Sequence, residues 1–503
     1  VLAVARTFAI VGVDAVPVDA EVDINRGLPS FSVVGLPDAA VRESRERVRA
    51  AIVNSGFEFP LRRITVSLAP SDLRKAGPGF DLAIAAAILV ASGQLPASLL
   101  GDWAFAGELA LDGRLRSVRG VLAMADAAGP DGRRGIAVPE ADHADAALIE
   151  GLAVAPLDSL SALAALGRGQ VPEARSNGAD ARQSAGKEAA LPDLAELRGQ
   201  PALRRGLEIA AAGGHSLLVV GPPGSGKSLA ARRLPSILPP LSGSEAIEVA
   251  RIAGVAGATR PPRSRLVRPF RAPHHTISPA GLVGGGTPPR PGEISLAHRG
   301  VLFLDEIAEF PRAALEALRQ PLESGEVTIA RARGALKFPA RFQLIAAANP
   351  CPCGRGESDP RCSCSPEQVR RYASRVSGAL SDRIDITLSV GQPDAEALAG
   401  DRPEGSAAVR RRVLAVRERQ AARLGDARTN ADCDGDELRR TAALGRGGLQ
   451  ALRLAQRRYA LSGRGWARTL RVARTFADAG ASDTVGEQHV LAALALRDRP
   501  EAG

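Results

Sequence analysis

The chain has 503 residues, 45% hydrophobic and only 3% aromatic, with a net charge of +10 and a pI near 10.1. That length suffices for about two to four domains, whose cores Ala, Leu, Val and Ile must build because aromatics and Met are scarce, which favours helices and α/β layers. The Arg-dominated charge suits a phosphate-rich or an acidic partner; the longest apolar run, Leu82 to Ala91, is too short to span a membrane, and Val1 to Ile10 lacks the features of a secretory leader, so the expected location is cytoplasmic with no membrane partner.

Residues 1–168 alternate short apolar stretches, such as Phe8 to Val13 and Ile64 to Leu68, with a helix-like stretch from Asp38 to Asn54, the pattern of an α/β unit. Within it, Arg63 to Pro70, Lys75 to Leu82, Gly107-Glu108-Leu109, Gly113 to Arg116 and Ile136 to Pro139 resemble the Lon-protease catalytic fold, a ribosomal-protein-like α/β domain. The resemblance does not extend to the chemistry. The position of the Lon nucleophile falls on Gly79, and the segment that should supply its lysine base reads Val118-Arg119-Gly120-Val121-Leu122. Glycine offers no nucleophile and an always-charged arginine no base, so the expected role is a scaffold or docking module.

From 169 to 192 the composition turns to Gly, Ser, Pro, Arg, Glu and Ala, as in a flexible linker. An ATPase core is expected over 193–390. It opens on Leu194 to Gln200, which resembles the segment bordering adenine in AAA+ proteins. Next, Ser216 to Val220 reads as a strand and Leu229 to Arg233 as a helix. Between them Gly221-Pro222-Pro223-Gly224-Ser225-Gly226-Lys227-Ser228 fits the phosphate-binding spacing G-x-x-x-x-G-K-S/T at every position. Glycines let backbone N–H groups turn inward around phosphate, and the helix N-terminus adds positive potential. Lys227 is expected to reach the β- and γ-phosphates of ATP, and Ser228 to ligate Mg²⁺.

Arg251 to Gly292 holds seven arginines and no Asp or Glu. His274 and His275, adjacent in an extended segment, are expected to face opposite ways, which suits loop packing or a subunit contact better than a shared metal. The run Val301-Leu302-Phe303-Leu304 ends in Asp305 and Glu306 and reads as a buried parallel strand that delivers carboxylates to a crevice. Asp305 is the expected second Mg²⁺ partner, and Glu306 the group that orients and deprotonates the attacking water. Val327 to Phe338 reads as a β-hairpin with a basic turn, so that Arg331, Arg333 and Lys337 are candidate phosphate grips on DNA; a solvated basic turn is the alternative. The strand Phe342 to Ala348 ends at Asn349, similar to the sensor-one Asn of AAA+ ATPases, whose amide can hold water or γ-phosphate.

Cys351, Cys353, Cys362 and Cys364 form two C-x-C arms that could surround Zn²⁺ structurally; four reduced thiols or a redox-sensitive loop are the alternatives. Leu380 to Asp385 resembles the arginine-finger segment of the magnesium-chelatase and MCM branches, which implies that Arg383 reaches a neighbour's ATP, with Arg375 a competing candidate. Residues 391–503, with helical stretches from Ala407 to Ala422 and Leu449 to Ala477, look like an AAA+ helical lid. In it Leu461 to Arg464 resembles the start of the sensor-two helix, implying a contact of Arg464 with the γ-phosphate.

With Arg268 to Thr276 and Pro291 to Gly300 added, these elements resemble the magnesium-chelatase-like AAA+ group, and the whole chain resembles the ComM/YifB family. What that implies is a hexameric ATP- and Mg²⁺-dependent ring motor, a DNA helicase promoting branch migration when incoming DNA is recombined in natural transformation. The alternative is a protein-remodelling or magnesium-chelatase-like ATPase acting on a protein.

Overall fold

The computed structural model describes residues 1–174, 191–258, 267–286, 289–331, 334–356, 359–425 and 428–497. Most of the expected linker, Arg333, the Arg331 side chain and part of the arginine-rich stretch lie outside the described residues.

The first unit is built on a seven-stranded mixed sheet. Its strands are β1 (Leu2–Val11), β2 (Asp14–Asn25), β3 (Ser30–Val34), β4 (Arg63–Ala69), β5 (Trp103–Phe105), β6 (Gly135–Pro139) and β7 (Ala153–Leu157), in the order β3-β4-β2-β1-β5-β6-β7. Helix α1 (Ala39–Asn54) begins where Asp38 accepts a 2.9 Å hydrogen bond from the Val41 N–H, which satisfies one of the orphan donors of the first turn. The apolar run at Leu82 forms α2 (Asp81–Ala91), with all but one of its residues buried; after Asp81 it is apolar on every side, so it packs between α1 and the sheet. Its first residue, Asp81, is fully buried and accepts two hydrogen bonds from Arg47, at 2.7 and 3.1 Å.

The second unit holds a five-stranded parallel sheet of β8 (Leu217–Val220), β9 (Phe270–Arg271), β10 (Val301–Leu304), β11 (Gln343–Ala348) and β12 (Ile386–Ser389), ordered β9-β10-β11-β8-β12. Strands buried on both faces must be apolar, as β10 is throughout and β11 is after its half-buried first residue, Gln343. Their C-terminal ends align, Val220 opposite Ala348 and Leu304 opposite Ala346, so the segments that follow emerge at one edge. The expected hairpin is present as an antiparallel pair, Glu326–Arg331 with Gly334–Pro339.

C-terminal helices α3 (Ser406–Leu424), α4 (Arg446–Tyr459), α5 (Gly463–Ala479) and α6 (Glu487–Ala495) share a core with the sheet through Val409, Val413, Leu452 and Leu470. Leu449 to Ala477 is therefore two helices, parted where Ala460 adopts φ 45° and Ser462 caps the second by accepting from Gly465 N–H. The joint is polar. Buried His215 lies 3.2 Å from Asp385 and 2.8 Å from Thr475 of α5. Burial pushes the Asp385 carboxyl up, but the His215 hydrogen bond, with the charges of His215, Arg471 and Arg468, outweighs it and holds the group below its ordinary value.

The two units touch. Arg251, on the helix Gly243–Ala256, bonds Asp14, the Val13 carbonyl at 3.3 Å and Asp126 at 3.2 Å. Val13, at the β1–β2 turn, is 7% exposed and belongs to the cluster that contains Leu302, Leu304, Val327 and Phe338. No helix among the described residues is long and apolar enough to cross a membrane.

Candidate active site

The loop between β8 and the helix Lys227–Ile237 has the conformation that its glycines permit. Gly224 and Gly226 adopt φ of 82° and 88°, a region costly for residues with a Cβ. At Gly221 a Cβ would stand 2.5 Å from the Val390 carbonyl oxygen. Ser225 Oγ is buried without a partner, an unsatisfied group inside the loop.

The structure gathers five of the expected residues at this loop. Ser228 Oγ donates to Asp305 Oδ2 at 2.6 Å, so the last loop residue and the first carboxylate after β10 already form an oxygen pair of the kind a hard divalent cation takes. Lys227 Nζ donates to the carbonyls of Gly221 (2.6 Å) and Pro222 (2.9 Å), and lies 3.4 Å from Asn349 Oδ1. Burial lowers the Lys227 pKa from its usual value, against the opposing charges of Asp305 and Glu306. Glu306 sits in left-handed backbone, φ 51°, and its carboxylate is about half exposed above the loop's edge of the sheet. The residues fit a Mg²⁺–nucleotide phosphate group: backbone cradle, ammonium, paired oxygens and a half-exposed carboxylate share one edge.

Several supports escaped sequence reasoning. Gln200 Nε2 donates to Ser225 O (3.1 Å) and Gly391 O (2.7 Å), and Gln392 Nε2 to Pro223 O (3.1 Å), which ties the loop to the segments before α3. Tyr372, on the helix Pro366–Leu380, meets the Asn349 backbone; burial, helped by Glu309, pushes its hydroxyl up to about 12, so it stays protonated. Leu194, Leu197, Gln200 and Val409 line a cavity of about 300 Å³ next to the loop, where the adenine-bordering segment was expected.

His274 and His275 depart from expectation. The chain turns here instead of staying extended, so the rings lie 4.1 Å apart instead of facing opposite ways. His275 Nδ1 reaches within 3.5 Å of Glu306 Oε2. Only their position in the Arg268 to Thr276 run hinted at this, because the contact spans two segments that meet only in the folded sheet.

Two expected residues are not brought to the loop of their own chain. Arg383 ends the turn Ser381–Arg383, whose carbonyl accepts from Ser216 Oγ at 2.7 Å, before β12 begins. That is the N-terminal edge of the parallel sheet, a strand's length from the phosphate loop. There Arg383 pairs with Glu323, and Arg464 stands 3.6 Å from Asp382. Arg375 lies 3.9 Å from Glu309, nearer the loop's edge. Lys337 is mostly exposed and forms a 3.0 Å ion pair with Glu326. The sulfurs of Cys351, Cys353, Cys362 and Cys364 converge within 4.8 Å of one another.

Known families match this chain over most of its length. The model described as magnesium chelatase, subunit ChlI, matches residues 193–398; one described as subunit ChlI of Mg-chelatase matches 20–142, and one for the ChlI C-terminal region matches 403–497. The chain is 44% identical over 500 residues to the uncharacterized protein YifB of Salmonella typhimurium, covering 99% of this chain and 97% of that one. It is 44% identical over 504 residues to the uncharacterized protein Rv2897c of Mycobacterium tuberculosis, covering 99% of each, and 43% identical over 502 residues to the competence protein ComM of Haemophilus influenzae, covering 99% and 97%. The chain therefore belongs to the ComM/YifB family and, through it, is related to the ChlI-type AAA+ ATPases of magnesium chelatase.

Proposed function

We propose that the chain is an ATP-hydrolysing ring motor, a hexamer that works as a DNA helicase or translocase and promotes branch migration when incoming DNA is recombined. The observation that carries the ATPase reading is the 2.6 Å bond between Ser228 and Asp305, because two elements far apart in sequence converge on the cation position that the phosphate loop needs. Ser228 and Asp305 hold Mg²⁺, Lys227 and the Gly221–Ser228 backbone hold the phosphates, Asn349 orients the γ-phosphate or its water, and Glu306 takes the proton from that water. Bound Mg²⁺ supplies charge neutralisation of the phosphate oxygens.

The placement of Arg383 and Arg464 supports a ring. Each lies at the sheet edge opposite its own loop, so each acts on nucleotide held by the next chain, where a guanidinium stabilises spread negative charge. The C-terminal helices serve as the lid that couples hydrolysis to movement.

The first unit we read as Lon-like without peptidase chemistry. A Cβ on Gly79 would lie 3.7 Å from Val118 Cγ1, so the two segments that should carry nucleophile and base do face each other, with glycine and an apolar methyl in their places.

DNA as the substrate rests on the net charge of +10, the basic hairpin and the name of the ComM relative, a competence protein. The alternative, a protein-remodelling ATPase, draws on the Lys337–Glu326 ion pair, which neutralises one of the proposed grips. ATP hydrolysis with and without single-stranded and forked DNA, beside a Lys227→Ala control, separates them. Stimulation that vanishes in the control and weakens when Arg331, Arg333 and Lys337 are neutralised supports the DNA motor; hydrolysis indifferent to every DNA moves the substrate to protein.

A further inference from the structure

We infer that Cys351, Cys353, Cys362 and Cys364 bind one zinc ion, and that the zinc-bound loop braces the phosphate loop and Asn349 in their nucleotide-binding arrangement.

The geometry is that of a closed tetrathiolate site. Cys351 and Cys353 sulfurs are 3.3 Å apart, Cys353 and Cys362 3.6 Å, Cys351 and Cys362 3.8 Å, and all four lie within 4.8 Å. A tetrahedron with Zn–S bonds of about 2.3 Å has S···S edges of about 3.8 Å, so the thiols already stand where the ion would hold them. They are too far apart for disulfides, which need about 2.05 Å. Four soft sulfur ligands with no carboxylate select zinc over magnesium or calcium and leave no open position, so the ion is structural. On binding, the four S–H protons leave to solvent and four thiolates close on Zn²⁺.

The loop is also shaped to present its amides to sulfur. Gly354 and Gly356 take φ of 83° and 84°, and this turn brings the Gly356 N–H to 3.3 Å from Cys351 Sγ, a bond that favours the thiolate. Cys351 is fully buried while Cys353 is exposed, so the site roots in the core and opens outward.

Its root lies against the nucleotide site. Cys351 follows Asn349 by two residues, and Gly356 packs so closely on Pro350 that a Cβ would stand 3.2 Å from Pro350 Cγ. Across the gap Gly354 meets the phosphate loop itself: a Cβ there would be 3.1 Å from both Cγ and Cδ of Pro223. The knot thus touches the third residue of the phosphate loop on one side and the segment after Asn349 on the other. Without the ion, the two C-x-C arms lose their four shared bonds and keep only weaker ties such as Arg355 Nη1 donating to the Arg361 carbonyl at 3.1 Å, and both contacts lose their backing.

The site stands on the cysteine geometry alone; only the bracing rests on the ATP-site reading. The test uses the full-length chain, purified with reductant and without chelator. Zinc is counted by plasma mass spectrometry, and Co²⁺ is exchanged in to give the visible spectrum of a tetrathiolate. One zinc per chain is expected in wild type and in Cys433→Ser, falling towards zero in Cys353→Ser and Cys364→Ser, which change outer ligands and spare buried Cys351. Substoichiometric metal with four freely titrating thiols would overturn the site. For the bracing, affinity for a fluorescent ADP analogue should drop at least about tenfold when zinc is stripped and return when zinc is restored. Unchanged affinity in the stripped protein would overturn the brace. If Lys227→Ala binds the analogue as tightly as wild type, the ATP-site reading has failed instead, and the metal count stands apart from it.

Discussion

His275 Nδ1 stands 3.5 Å from Glu306 Oε2, so an imidazole from the segment after β9 faces the carboxylate delivered by β10. Phe310 packs edge-on against the same imidazole, with ring centroids 6.5 Å apart, which limits the ring's freedom to leave. His275 is therefore a positioning residue for the proposed base. Glu306→Gln should cut ATP turnover by about 10² to 10⁴ while nucleotide still binds. His275→Ala should lower kcat by a smaller factor and leave nucleotide affinity and KM unaltered. A rise in KM at constant kcat would mean that the histidine touches nucleotide instead.

The separation of Arg383 and Arg464 from their own phosphate loop leads to a mixing experiment. Arg383→Ala chains keep an intact loop, and Lys227→Ala chains keep intact arginines. Each alone should hydrolyse ATP at least about 10³-fold more slowly than wild type, the scale of an arginine finger. A mixture should regain part of the activity, because some interfaces then pair a sound loop with a sound arginine. No recovery, with mixed assembly shown by native mass spectrometry, would place Arg383 in the site of its own chain.

In the first unit, burial outweighs the Arg47 ion pair and pushes the Asp81 carboxyl up to about 6. An unfolded aspartate titrates near about 3.9. Between those values the native state binds more protons than the unfolded one, so this group's contribution to stability declines as pH rises from about 4 to about 6 and is level above that. The decline is of order 3 kcal/mol at most, from about two pH units at about 1.4 kcal/mol each. Thermal unfolding of wild type and Asp81→Asn across this range should show the slope in the first and its loss in the second. Parallel curves would assign the pH dependence to other groups.

Arg251 joins the units by meeting Asp14, the Val13 carbonyl and Asp126 together. Arg251→Glu reverses the charge against two carboxylates and should weaken that contact by about 1–3 kcal/mol. Basal ATP hydrolysis should survive, since the partners Val13, Asp14 and Asp126 all belong to the first unit, while DNA stimulation should fall. Equal loss of both would show that the contact supports the ATPase fold itself.

The parts of the site read from sequence are those set by local spacing. The glycine loop needs its glycines at fixed offsets, and an apolar strand that ends in Asp305 and Glu306 or in Asn349 has little choice about where those groups emerge. The hairpin was legible for the same reason, whereas the apolar run at Leu82 fits a helix or a strand equally well and only the structure shows it as α2. What escaped depends on how elements dock. Gln200 and Gln392 clamp the loop by folding back on it, His275 turns towards Glu306 because its segment bends, and the seat of Arg464 follows from α5 packing beside Ile384, whose carbonyl accepts from Arg468 at 2.8 Å. None of those relations has a periodicity or a spacing to announce it.

Val13, from the turn between β1 and β2, is packed among residues at the base of the basic hairpin, and Gly12 approaches so closely that a Cβ there would lie 3.4 Å from the Lys337 carbonyl oxygen. A peg of the first unit is thus seated in the second, beneath the element proposed to grip DNA. In the proposed motor, a stroke of that hairpin would have to carry the first unit with it or pull the peg from its socket, so the amino-terminal unit would act as flywheel or brake, and a chain shortened to residues 193–503 would leave that socket empty.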